Sequence, residues 1–465
     1  MASSRKRSFQ DNLSMQVALE LYRDIESDYV CALRATGIKF AARDTARTQA
    51  RQLMERLSAA GARLRNGGAS VALGPLSRGC VACTGSCTSR TYALSNNCHR
   101  DCFFCFNPNQ KEFAYYCEHP FPWRKQLDDL AREGSRPVCL ALSGGEPLLT
   151  PDEAYAFFAY AKNLFPDTHL RLYTAGDLLD QSCLERLREA GLEEIRFSIK
   201  QDDPAQKQEE VLANITMALD YIPTVMVEMP SIPGTEDQMR ELLCQLDARG
   251  VHGINLLEFT YSMWNWPVFE SLGLTLRNPP YRVFFDYSYA GSLAVQGSEE
   301  LCLRLMLWAQ EKNLKLGMHY CSLENKHRAQ VRTVNEPHKD IDARYAFDYG
   351  DYFIKTVVAF GPDRSAIRAF LRTRGCREFL EDDRSNSLSF HPKWLPGASR
   401  VRGCDGALVQ LCVSSNIVVE QDGQFVLREL KIEQIHDAAP FQLRECMDQD
   451  GDTIVCEMKR VQRAE

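Results

Sequence analysis

Between about residues 90 and 260, short β-rich runs alternate with amphipathic stretches, and this alternation constrains the fold more than any other feature. PVCLALSGG is followed by EAYAFFAYAKNLF, and HLRLYTAG by SCLERLREAG. EEIRFSIK leads to PTVMVEMP and DQMRELLCQLDARG, and HGINLLEF ends the series. Strand, helix, strand at this spacing predicts an α/β fold with parallel strands joined by crossovers, a partial (β/α) barrel. The runs end in SGGEP, YTAG, SIK, EMPSIPG and NLLEF, so Gly, Pro and polar residues gather at the carboxyl ends of the strands. In parallel α/β barrels that edge carries the chemistry. Residues 298–320 add one more helix and strand.

The flanks read differently. Residues 13–66 carry apolar residues at helical spacing up to a Gly pair, which predicts a helical N-terminal segment over 1–78. The barrel is expected over 79–325. From about 340 the texture becomes YFIKTVVAFGPDRSAIRAFLRTRG, then β-like runs around a QDGQ turn, which predicts a small α+β C-terminal domain over 340–465.

A net charge of −7 and a pI near 5.8 offer nucleic acid no general attraction. No apolar run approaches the roughly 18 residues of a membrane span, and MASSRKRSFQDN is too polar for a secretory signal, so a cytoplasmic protein is expected. Several of the 18 cysteines fall in the tight clusters CVACTGSC and CHRDCFFC. In a large chain of this kind, that pattern favours metal ligation over disulfides.

SNNCHRDCFFCFNPNQ sets Cys98, Cys102 and Cys105 at gaps of three and two residues. A cubane iron–sulfur cluster has four irons, with Cys thiolates as their usual ligands, so three cysteines leave one iron open to a chelating small molecule. The spacing, with Phe104 just before the last cysteine, resembles the signature of the radical S-adenosylmethionine (radical SAM) superfamily. That resemblance implies a [4Fe–4S] cluster whose open iron takes the amino and carboxylate groups of SAM, and a 5′-deoxyadenosyl radical that abstracts hydrogen from substrate.

The other motifs resemble a branch of that superfamily related to the pyruvate formate-lyase activating enzymes, over roughly residues 79–325. Ser143, Gly144, Gly145 and Glu146 resemble its GGE motif, where glycines admit a close ligand and Glu146 offers an acceptor to an ammonium group. Tyr173, Thr174 and Gly176 resemble the end of its third strand. Ser198 and Lys200 fall where SAM ribose and carboxylate are contacted, and Glu228 to Gly234 where backbone approaches adenine. Phe104 is expected to pack near the adenine. Asn255 and Glu258 end the sixth predicted strand and are the candidate catalytic residues facing substrate.

A second set, Cys80, Cys83 and Cys87 in RGCVACTGSC, needs a fourth partner to close a site. Cys321 in MHYCSLENKHR is the candidate and Cys117 the alternative, with His319 a further ligand candidate or a packing residue. An auxiliary iron–sulfur cluster, a structural zinc and no metal all remain open readings. The later cysteines Cys376, Cys404, Cys412, Cys446 and Cys456 are widely spaced and form no C-x-x-C pair.

The expected function is that of a radical SAM enzyme acting on a peptide, a protein or a small molecule, with a reductant such as flavodoxin or ferredoxin. The rival is a non-catalytic iron–sulfur or zinc protein that serves as electron carrier or scaffold.

Overall fold

The computed structural model describes residues 12–42, 45–85, 89–280, 293–436, 441 and 443, leaving aside the side chains of 45–47, 84 and 85. Of these, 38–280 and 293–329 form one compact unit, and 12–37 with the residues from 330 onward form the other. The chain opens with helices α1 (Leu13–Ala35), in the second unit, and α2 (Thr45–Ala59), in the first. The Asn12 side chain starts α1 by accepting the Met15 amide at 3.2 Å.

The first unit is a barrel-like sheet. Its strands are β1 (Arg63–Arg65), β2 (Ser70–Leu73), β3 (Ser89–Ala93), β4 (Cys139–Ser143), β5 (His169–Thr174), β6 (Glu194–Phe197), β7 (Thr224–Ser231) and β8 (Gly253–Glu258). A short ribbon of β9 (Thr260–Tyr261) and β10 (Leu293–Ala294) follows, then β11 (Gly317–Cys321). The nine-stranded order is β1-β2-β11-β8-β7-β6-β5-β4-β3. From β3 to β8 and on to β11 every pair is parallel, and β2 and β1 close the series antiparallel.

Helices α3 (Arg78–Gly85), α4 (Phe113–Glu118) and α5 (Trp123–Arg132) lie between the early strands in sequence. The crossovers are α6 (Pro151–Leu164), α7 (Gln181–Glu189), α8 (Ala205–Ala218) and α9 (Glu236–Ala248), with α10 (Trp266–Ser271) and α11 (Ser298–Glu311) before β11. Side chains alternate along each strand. One set, including Leu140, Leu142, Leu170, Leu172, Ile195, Phe197, Val225, Val227, Ile254 and Leu256, is buried with apolar residues of the crossover helices. Each such side chain contributes about 1.5–3 kcal/mol on burial. The opposite set carries Arg171, Arg196, Asn255 and His319, all buried, so the concave side of this sheet is polar.

The second unit is an antiparallel sheet. After α12 (Leu323–Asn335) come β12 (Ala346–Phe347), β13 (Ile354–Phe360), helix α13 (Asp363–Thr373), β14 (Phe379–Asp382) and β15 (Ser387–Phe390). The short α14 (Leu395–Ala398), β16 (Leu411–Gln421) and β17 (Gln424–Gln434) complete it. The order is β14-β15-β13-β16-β17, with β12 on β13. Ile367 and Leu371 of α13 pack with Val357, Leu388 and Phe390, while Met15 and Leu19 of α1 pack with Val358, Phe360 and Ile432. The expected QDGQ turn joins β16 to β17, with positive φ at Asp422 and Gly423.

The observed division differs from the boundaries at 78/79 and 340. Residues 63–73, expected to lie in the helical lead, include two strands of the barrel sheet, because Ser70–Leu73 pairs with β11 far along the chain. Among the described residues no helix is long and apolar enough to cross a membrane.

Candidate functional site

The carboxyl ends of β3 to β8 surround a cavity of about 700 Å³. Cys98, Cys102, Cys105, Phe104, Gly144, Gly145, Glu146, Thr174, Ser198 and Lys200 all line it, and so does Glu258. The expected cofactor residues therefore converge from four separate stretches of sequence.

The loop bearing the cysteine triplet is held from two sides. On one side the amides of Gly145 and Glu146 donate to the carbonyls of Ser95 and Asn97 at 3.0 and 2.8 Å. A Cβ on Gly145 would lie 1.9 Å from the Asn97 oxygen, and Gly144 has φ +109° with a Cβ position 2.6 Å from that of Ala93. The glycines thus make room for the cysteine loop, and both also line the cavity. On the other side Ser262 Oγ and Trp264 Nε1 donate to the Cys105 carbonyl at 2.8 and 2.5 Å, and Asn265 Nδ2 donates to the Phe103 carbonyl at 2.9 Å. Sequence reading missed this clamp, which joins segments well over a hundred residues apart.

Burial pushes the Cys98 and Cys105 thiols up. Backbone amides oppose the rise, at Arg100 for Cys98 and at Asn107 for Cys105, and the charge of Cys102 adds to it at both. The three sulfurs are therefore within electrostatic reach of one another. Among the described residues no three His, Cys, Asp or Glu side chains are gathered as they would be around a single metal ion. Cys98, Cys102 and Cys105 nonetheless sit on one loop at the wall of one cavity, a three-thiol donor set of the kind that serves iron–sulfur clusters.

Glu146 does not present a free carboxylate. It accepts from Leu148 N at 3.1 Å, Thr174 Oγ1 at 2.8 Å and Ala175 N at 2.7 Å, which ties the end of β4 to the end of β5. Three of its roughly four lone-pair sites are thereby filled. Lys200 Nζ donates to Ser198 Oγ at 2.6 Å and lies 5.9 Å from the Phe104 ring centre, which brings these three residues together. Phe104 also packs edge-on against Phe103 and Phe259.

The candidate catalytic pair is engaged within the protein. Asn255 Nδ2 donates to Glu228 at 2.8 Å, while Glu258 accepts from Arg277 at 2.5 Å and from the Leu323 amide at 2.7 Å. Glu228 also pairs with Arg196. Burial alone would raise Glu228, but the Arg196 charge, Asn255 and Arg171 hold it below the usual carboxylate range. Tyr173 is half-buried, beneath Arg171 and Arg196. Gly176 has φ +83°, and a Cβ there would meet Phe197 at 2.4 Å.

Of the second set, Cys80 and Cys83 lie one turn apart on α3, and Cys87 lies outside the described residues. Arg196 Nη2 donates to Cys80 Sγ at 3.0 Å, and Asn325 Nδ2 donates to Cys321 Sγ at 3.4 Å. Burial pushes the Cys321 thiol up to about 12; Lys326 opposes this, and the charges of Cys83 and Cys80 add to it. Cys117 instead lines the main cavity. His319 is buried and meets Ser70 Oγ through Nε2 at 3.2 Å, and burial with the Arg65 and Arg196 charges lowers its pKa. Cys446 and Cys456 lie outside the described residues.

Residues 92–246 match the family profile described as the radical SAM superfamily. That stretch of the chain therefore carries a radical SAM domain. A Methanocaldococcus jannaschii protein provisionally named a glycyl-radical enzyme activating enzyme is 26% identical over 250 residues, 51% of this chain and 61% of that protein. PqqA peptide cyclase of Granulibacter bethesdensis is 29% identical over 110 residues, 24% of this chain and 28% of that one. The chain thus spans less than two thirds of the length of these relatives. Among solved structures, Streptococcus suis SuiB bound to the precursor peptide SuiA matches with a TM-score of 0.38 at 11% identity, covering 64% of this chain and 60% of that one. SuiB bound to S-adenosylmethionine matches at 0.35 and 10%, over 50% of each chain. These structural likenesses are too slight to carry an argument.

Proposed function

We propose that this protein is a radical SAM enzyme that binds a [4Fe–4S] cluster through Cys98, Cys102 and Cys105 and S-adenosylmethionine beside it. The observation that carries this reading is the meeting of the triplet with Gly144, Gly145, Thr174, Ser198 and Lys200 around one cavity. When bound, cluster and SAM supply one-electron reductive cleavage of the sulfonium, giving a 5′-deoxyadenosyl radical that takes hydrogen from substrate.

The chain's own residues hold and enclose. The three thiols, once deprotonated, are the cluster's protein ligands. Lys200 sets a cation against Phe104 at the cavity wall, suited to a carboxylate, and Ser198, which accepts from Lys200, keeps its own hydroxyl proton to donate. The apolar part of the wall, with Phe104, Phe259, Pro230 and Leu257, keeps water from a reactive centre. The substrate is a peptide, a protein or a small molecule; the names of the two sequence relatives support the first two. A low-potential carrier such as flavodoxin or ferredoxin would supply the electron.

The reading is tested by electron paramagnetic resonance of the anaerobic, dithionite-reduced protein. Addition of SAM should change the cluster signal, and a signal indifferent to SAM would reduce the protein to an electron carrier.

A further inference from the structure

A guanidinium taken out of water needs acceptors or a compensating anion around it. Arg171 is 2% exposed, yet its Nε has no hydrogen-bond partner among the described residues. The Tyr173 ring lies 5.0 Å from it. Its neighbour Arg196, by contrast, donates to Glu194, Glu228, Ser77 and Cys80. The Glu194 and Glu228 charges reach Arg171 as well, but both carboxylates are hydrogen-bonded to Arg196, and the Arg171 Nε is left without an acceptor among the described residues.

Cys80, Cys83 and Cys139 lie near it, and Cys321 follows on the same sheet face. Helix α3 presses its start onto Arg171, since a Cβ on Gly79 would lie 2.4 Å from Nη1, and Cys80 and Cys83 follow on that helix. Strand register places the others. Ala141 pairs with Arg171, so Cys139, two residues earlier on β4, shares the face of Arg171. The same face continues through Arg196, Glu228 and Asn255 to His319 and on to Cys321. Cys80, Cys139 and Cys321 are buried while Cys83 is exposed, and the charge of Cys83 is felt at Cys139 and at Cys321.

We infer that Cys80, Cys83, Cys139 and Cys321 hold a second iron–sulfur cluster inside the barrel, with Arg171 as its counter-charge. A cubane with four thiolates is a net anion, which Arg171 balances, and the Arg196 donor to Cys80 Sγ is the kind of hydrogen bond that tunes cluster potential. Arg196 also lines the SAM cavity, so one side chain borders both compartments. The assignment uses none of the catalytic triplet, so it stands or falls separately from the proposed function.

The test uses the full chain with Cys98, Cys102 and Cys105 all replaced by Ala, reconstituted anaerobically with iron and sulfide. About four irons and four sulfides per chain are expected. Adding Cys80→Ala with Cys83→Ala, or Cys139→Ala, should remove them; Ser variants replace any Ala variant whose circular dichroism shows that it has not folded. In the same background Arg171→Met should keep the iron and lower the cluster's reduction potential, and Arg171→Lys should restore it. No iron in the triplet-free chain while the unmodified chain holds about four would overturn the second cluster and leave the first intact. Zinc in place of iron in natively purified protein, or iron retained after loss of Cys139, would overturn the assignment as well.

Discussion

The indole Nε1 of Trp264 donates to the backbone carbonyl of Cys105 at 2.5 Å, and Ser262 Oγ shares that acceptor at 2.8 Å. The last cysteine of the triplet is thus fixed by a segment that belongs to no motif. Trp264→Phe keeps the ring and removes the donor, which is about 0.5–1.5 kcal/mol of positioning energy. Iron content should hold, while 5′-deoxyadenosine release should slow by up to about tenfold, in line with that energy. Product assay beside iron analysis checks this; an unchanged rate would show that the clamp does not position the loop.

Gly145 leaves no room for a side chain, with a Cβ position 1.9 Å from the Asn97 carbonyl oxygen. Gly145→Ala must push the GGE turn and the cysteine loop apart. We expect a loss of about 1–3 kcal/mol in denaturant unfolding, together with poorer iron loading at the triplet. A variant as stable and as well loaded as the parent would mean that the two loops do not meet in this way.

Glu299 gives a pH signature. Its carboxylate accepts from Tyr320 Oη at 3.1 Å and faces Arg277 at 3.5 Å. Burial first and the nearby Glu258 charge second raise it from 4.5 to about 7, with Arg277 opposing. Between those values the folded chain binds more protons than the unfolded one, so stability falls as pH rises through that window and is level above it. The effect is on the order of 3 kcal/mol. Glu299→Gln should lose this slope, measured by urea unfolding at pH 5 and pH 8. An identical slope in both proteins would assign the titration elsewhere.

What could be read from the sequence was local. The strand and helix alternation, the C-x3-C-x2-C spacing and GGE each occupy a few consecutive residues, and the structure gathers them around one cavity. What escaped depends on distant partners. Ser70–Leu73 becomes a strand only by pairing with Met318–Cys321, and Arg63–Arg65 only by pairing with it in turn. Glu258 looks available at a strand end, yet Arg277 and the Leu323 amide occupy it. Cys139 reads as one more apolar residue in VCLAL, and nothing near it in sequence signals Cys83 or Arg171.

Release of 5′-deoxyadenosine tests the central claim most directly. Anaerobically reconstituted protein, given dithionite and S-adenosylmethionine, should release it, and Cys102→Ala, folded but lacking a ligand of the triplet, should release none. No release from the cluster-loaded parent, or equal release from the variant, would contradict the account.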